Sequence, residues 1–222
     1  MKLLLATMFA AMISVNALPA LGAVSIANGG FEDTPFTPDD YTIIAAGNEP
    51  TGFGWTVGEN SIDGLNNYEG GLGYDSTLQY VDLNGTPGPG TISQTFQSVL
   101  GQSYDLAFAY SHNMDISSAT GRWSILDGAV TLFSGNFTHT NSSVGQGSLN
   151  WLLSVSSFTG NGSLLTLLFE QIGPPDGNAG VFLDSISIAE TPEPSTLVSF
   201  GVLALVGVGV TVYHRRKVSV VA

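Results

Sequence analysis

Between residues 24 and 191 the apolar side chains follow a period of two, and no stretch keeps a long helical period. The clearest run sets Tyr104, Leu106, Phe108 and Tyr110 on one face and Ser103, Asp105, Ala107 and Ala109 on the other. Such alternation fits a half-buried strand and excludes a helical bundle. Similar short runs, rich in Val, Ile, Thr and aromatic residues, predict strands at Phe53–Val57, Thr77–Leu83, Thr91–Gln97, Tyr104–Ser111, Arg122–Leu126, Val130–Ser134, Leu149–Phe158, Leu164–Gln171 and Val181–Ala189. Gly, Asn, Asp and Pro clusters separate them, so the fold class is all-β, an antiparallel β-sandwich or jelly roll. Thr34–Thr51 and Leu65–Ser76 are long, polar and Gly-rich, and read as surface loops.

Charge is distributed unevenly. Within 24–191 Arg122 is the one Lys or Arg, against 17 carboxylates, a net charge of −16. Such a surface repels nucleic acid and anionic lipid and attracts cations. The chain has no cysteine, so its stability rests on core, hydrogen bonds or metal. In the last predicted strand the period of two places Phe182, Asp184, Ile186 and Ile188 on one face, apolar except for Asp184. A buried carboxylate with no basic partner needs either a bound cation or backbone N–H donors. Asn28-Gly29-Gly30-Phe31-Glu32-Asp33 offers two carboxylates and flexible carbonyls of the kind calcium takes.

Five segments then follow in a familiar order: Asn28-Gly29-Gly30-Phe31-Glu32, Gly54-Trp55-Thr56-Val57, Val81-Asp82-Leu83-Asn84-Gly85, Ile92-Ser93-Gln94-Thr95-Phe96 and Leu183-Asp184-Ser185-Ile186-Ser187-Ile188. Together they resemble the DUF642 and choice-of-anchor C group among the galactose-binding-like jelly rolls. That resemblance implies first and last strands that meet, often around a structural Ca2+, with Glu32 and Asp184, and Asn28 beside them, as its ligands.

The two ends differ in kind from the middle. Lys2, the apolar run Leu3–Val15 and the small residues Ala17, Ala20, Gly22 and Ala23 read as a signal peptide over 1–23, cleaved after Ala23 or, alternatively, Ala20. At the other end Leu197–Tyr213 is an uncharged apolar run, and His214, Arg215, Arg216 and Lys217 follow it at once. As a helix its 17 residues rise about 25 Å, near the lower limit for a transmembrane helix. The basic cluster predicts a cytoplasmic C-terminus and an external domain. With Pro192-Glu193-Pro194 before it, the stretch 192–217 resembles the PEP-CTERM sorting signal, with 218–222 as a short extension. The resemblance implies an exosortase-type sorting peptidase as partner, a membrane-tethered precursor, and release to the cell envelope or extracellular matrix. A plain single-span anchor is the alternative.

Three functions compete for the middle. Binding of an extracellular polysaccharide needs aromatic platforms beside polar groups. Tyr68, Tyr74 and Asp75 in a loop are candidates, as are the neighbours Arg122 and Trp123, which read as a pair able to bracket an acidic sugar. A calcium-stabilised matrix protein with no small ligand is the second. The third is a glycoside hydrolase or lyase, but no His-Glu-x-x-His or Gly-x-Ser-x-Gly pattern occurs. His112, beside Asn113 and Asp115, reads as a solvated loop residue rather than a general base, so the chain is expected to be non-catalytic.

Overall fold

A computed structural model describes residues 24–141, 145, 147–173 and 177–191. The expected signal peptide (1–23), the Pro192–Pro194 motif, Arg215, Arg216 and the apolar run 197–213 lie outside the described residues. Among the described residues no helix is long and apolar enough to cross a membrane.

Among the described residues eleven strands run β1 (Asp40–Ala45), β2 (Thr56–Glu59), β3 (Ser61–Asn66), β4 (Gln79–Asp82), β5 (Gly90–Gln97), β6 (Ser103–His112), β7 (Ser118–Asp127), β8 (Val130–Thr140), β9 (Leu152–Thr159), β10 (Leu164–Gly173) and β11 (Val181–Glu190). They form two sheets, ordered β1-β3-β4-β11-β6-β9 and β2-β5-β10-β7-β8, and every pairing is antiparallel. The fold is a β-sandwich.

Its core lies between the sheets. Ile62, Val81, Leu83, Leu106, Phe108, Val181 and Leu183 from the six-stranded sheet meet Ile92, Phe96, Ile125, Leu167 and Phe169 from the five-stranded one. Phe108 sets its ring edge-on to Phe137 and Phe169, with centroids 4.8 and 5.0 Å away. Aromatic pairs of this geometry add about 0.5–1.5 kcal/mol to their area burial.

A second, smaller apolar layer covers the outer face of the six-stranded sheet: Leu65, Tyr80, Leu149 and Phe182, with Tyr68, Met114 and Trp151 packed on them. Strands β3 and β4 are therefore buried on both faces. Here the sequence reading needs correction, because β1 lies inside the expected Thr34–Thr51 loop and β3 was not expected at all. Strand β3 carries Asp63, Gly64 and Asn66, types depleted in strands. Gly64 is required by packing, since a Cβ there would meet the Phe36 ring at 2.7 Å.

The last strand needs a second correction. Its ladder slips between Asp184 and Ser187, with Ser185 at φ 51°, a β-bulge. The bulge breaks the period of two. Val181, Leu183, Ile186 and Ile188 face the core, while Phe182 belongs to the outer layer. By strand alternation Asp184 shares the side of Phe182 and not that of Ile186 and Ile188.

Candidate functional site

The segment Asn28–Phe36 makes a clasp on the last strand. Ile186 N–H donates to the Gly29 carbonyl at 2.9 Å. A Cβ on Gly29 would stand 2.0 Å from the Ile186 carbonyl oxygen, so only glycine allows this approach. Asn28 donates its amide to the Phe53 carbonyl at 2.9 Å and accepts from Asp33 N–H at 3.0 Å. Glu32 accepts from Leu78 and Gln79 N–H at 3.0 and 2.8 Å. Asp184, fully buried, accepts from Tyr74 N–H at 2.7 Å, Ser185 N–H at 2.6 Å and the Thr77 hydroxyl at 3.1 Å. Burial pushes its carboxyl up to about 7, against these donors, and nearby Glu32 adds to the rise. The structure thus brings Asn28, Glu32 and Asp184 into one region, and backbone N–H groups and a hydroxyl meet the Asp184 charge. Among the described residues no three His, Cys, Asp or Glu side chains form a group able to hold a metal ion.

A pocket of about 170 Å³ opens on the outer face of the six-stranded sheet. Strand register builds its floor, with Asp63 on β3 directly opposite Asp82 on β4. Both are buried. Asp82 accepts from Asn84 N–H at 2.8 Å, the Asn113 amide at 3.1 Å and Gly180 N–H at 3.2 Å. Burial nevertheless pushes its carboxyl up to about 8, with the charge of Asp63 contributing. Asp63 accepts from the Thr86 N–H and hydroxyl, both at 3.2 Å, and burial raises it also. Asn113, Asp115 and Asn178 supply further polar groups. The rings of Tyr41 and Tyr68 stand edge to face at the lip, centroids 6.2 Å apart at 83°. Burial raises the Tyr68 hydroxyl above the usual range, and the neighbouring charge of Glu69 adds to it. Aromatic faces beside carboxylates, amides and a hydroxyl are what a sugar ring requires. The volume lies below the about 300 Å³ at which sites for larger ligands begin, so the pocket suits a single ring.

The other expected site residues are scattered. Tyr74 and Asp75 lie on a 3₁₀ turn, Tyr74–Ser76, which covers Asp184 through the Tyr74 N–H; neither lines the pocket. Arg122 and Trp123 are neighbours on β7, so they point to opposite sides. Trp123 packs in the core, whereas Arg122 pairs with Glu170 at 2.8 Å in an outer groove of about 240 Å³. They do not bracket a common ligand. His112 is also not a loop residue. It ends β6 in the interior, its Nδ1 2.5 Å from Nδ1 of buried His139. His139 Nε2 lies 2.9 Å from the Asn150 carbonyl and must donate to it, which leaves His112 Nδ1 as donor to its partner. Burial and His139 hold His112 below the usual imidazole range.

The sequence reading did not assign Tyr41, Asp63, Asp82, Asn113 or Asp115 to a site. One signal was available for Asp82: it stands between Val81 and Leu83, both core residues, and so must face the other way.

No family model matches the chain. A stretch is 29% identical over 205 residues to halomucin of Haloquadratum walsbyi (strain DSM 16790 / HBSQ001), covering 87% of this chain; the chain spans about 2% of that relative's length. Among solved structures, the Stig cyclase Fisc from Fischerella sp. TAU is similar at a TM-score of 0.51 and 18% identity, over 77% of this chain and 99% of that one. A CBM4 module is similar at 0.45 and 16%, over 75% and 100%. TmCBM61, solved with β-1,4-galactotriose, is similar at 0.46 and 12%, over 74% and 96%. At such identities the likeness to Fisc is one of fold alone.

Proposed function

We propose that this chain is an exported, surface-sorted, non-catalytic module of the galactose-binding-like jelly-roll type that binds extracellular polysaccharide in the Tyr41–Tyr68 pocket. One observation carries the proposal: two tyrosine rings set edge to face at the mouth of a pocket floored by the opposed carboxylates of Asp63 and Asp82. Rings of this kind stack on sugar C–H faces, while carboxylates and amides take sugar hydroxyls. The carbohydrate-binding modules that share its outline are too distant to add weight, so the pocket supports the reading by itself. Export through residues 1–23 and sorting through 192–217 by an exosortase-type peptidase complete it, with the domain spanning 24–191.

Calcium belongs to the same proposal as a stabiliser of the Asn28, Glu32 and Asp184 clasp, where it would add to hydrogen bonds already made. Thermal melting of the full-length protein, in calcium and in chelator and across a panel of soluble polysaccharides, tests both parts. A ligand at a hundred times its Kd adds about 2.7 kcal/mol, or roughly 5–10 °C for a domain of this size. The expected result is such a rise with a polysaccharide, lost in Tyr68→Ala. A panel in which no polysaccharide shifts the melt overturns the binding role, and identical melts in calcium and chelator overturn the calcium site.

A further inference from the structure

We propose that the glycan taken by the Tyr41–Tyr68 pocket carries free amino sugars, and that a protonated amine binds at the Asp63 and Asp82 carboxylates. The inference rests on the carbohydrate-binding reading above and specifies the ligand's chemistry.

The charge of the pocket carries it. Asp63 and Asp82 stand opposite each other across an antiparallel pair, both buried, with Asp115 also lining the pocket. Like charges so placed destabilise one another. Among the described residues no basic side chain pairs with them. Arg122 is the one Lys or Arg between residues 24 and 191, and it is ion-paired with Glu170 on the five-stranded sheet. A uronate or a sulfated sugar would add a further negative charge to a pocket without a cation. A neutral sugar would bury the two carboxyls further and keep them in the protonated, uncharged form that burial already favours. A sugar ammonium supplies one positive charge and three N–H donors, and the faces of Tyr41 and Tyr68 favour a cation at the mouth.

A divalent metal fits less well. Calcium takes six to eight oxygen ligands. The two carboxylates already receive three donors at Asp82 and two at Asp63, which leaves few free lone pairs. Burial holds the Asp82 carboxyl at about 8, so below that pH it carries a proton, which an incoming ammonium displaces by stabilising the carboxylate.

The test is calorimetric titration of the full-length protein at pH 7 in the presence of EDTA. The probes are glucosamine oligomers, the N-acetylated oligomers of equal length, and oligogalacturonate. Glucosamine oligomers are expected to bind at least about tenfold more tightly than their acetylated counterparts, with oligogalacturonate weakest. The preference should shrink in Asp63→Asn and in Asp115→Asn; Asp115 is exposed, so that variant keeps its fold. Equal affinity for the amino and N-acetyl oligomers, with loss of both in Tyr68→Ala, would overturn the ammonium inference while the carbohydrate site stood. Glucosamine binding that requires calcium in place of EDTA would overturn it in favour of a metal. Binding of no oligosaccharide of any kind would remove both readings together.

Discussion

Asp82 gives the structure its sharpest consequence for pH. Its carboxyl is buried and held at about 8, against an ordinary value of 3.8. A group whose pKa is raised by folding binds a proton more tightly in the folded state. Its contribution is complete below the unfolded value and is lost as pH rises towards the folded one. Each pH unit in that window is worth about 1.4 kcal/mol, so Asp82 alone removes roughly 2–3 kcal/mol of stability between pH 5 and pH 7. Asp184, raised to about 7, acts in the same direction over most of that interval. His112, lowered by burial, opposes them, because its protonation destabilises the fold as pH falls below the usual imidazole value. Urea unfolding of the wild type and of Asp82→Asn at pH 5, 6 and 7 measures this loss. The asparagine leaves donors from Asn84 and Gly180 imperfectly met, so the absolute stability falls at every pH. The decisive quantity is the slope, which should be shallower in the variant by about 1 kcal/mol per pH unit. An unchanged slope refutes the assignment of a buried, uncompensated carboxyl at this position.

Three further substitutions separate the structural regions. Gly29→Ala forces a Cβ to within 2.0 Å of the Ile186 carbonyl oxygen and weakens the Ile186–Gly29 hydrogen bond; a loss of about 2–4 kcal/mol in urea unfolding is expected. Asp184→Ala strands the Tyr74 and Ser185 N–H groups and should lower the melting temperature sharply, whereas exposed Asp75→Ala should leave it nearly unchanged. Trp123→Ala should cost about 3–5 kcal/mol as a core cavity, while Arg122→Ala on the adjacent residue leaves the core intact and should change stability far less.

The sequence revealed strands best where one face is core and the other meets solvent. Strand β6 is such a case at Tyr104, Leu106 and Phe108, and its period of two located it within a residue at each end. Strand β3 was illegible because the outer layer of Leu65, Tyr80 and Phe182 buries its second face too, which erases the alternation. Its Asp63 and Gly64 then look like loop residues, although one floors the pocket and the other makes room for Phe36. The bulge at Ser185 was invisible for a different reason. Serine carries no mark of a positive φ, and a slip in register reverses every side chain beyond it. The pocket was only partly legible. Tyr68 was visible as an aromatic residue in a loop, but Tyr41, Asp63, Asp82, Asn113 and Asp115 come from separate stretches of chain. Tyr41, Asp63 and Asp82 meet because β1, β3 and β4 are neighbours in one sheet, and Asn113 and Asp115 join them from the turn that follows β6.

The most direct test of the central claim is affinity electrophoresis of the wild type, Tyr41→Ala, Tyr68→Ala and Arg122→Ala through gels carrying one polysaccharide each. Retardation of the wild type and of Arg122→Ala, with free migration of both tyrosine variants, is the predicted result. A polysaccharide that retards the tyrosine variants as strongly as the wild type would contradict the assignment of the site to the outer face of the six-stranded sheet.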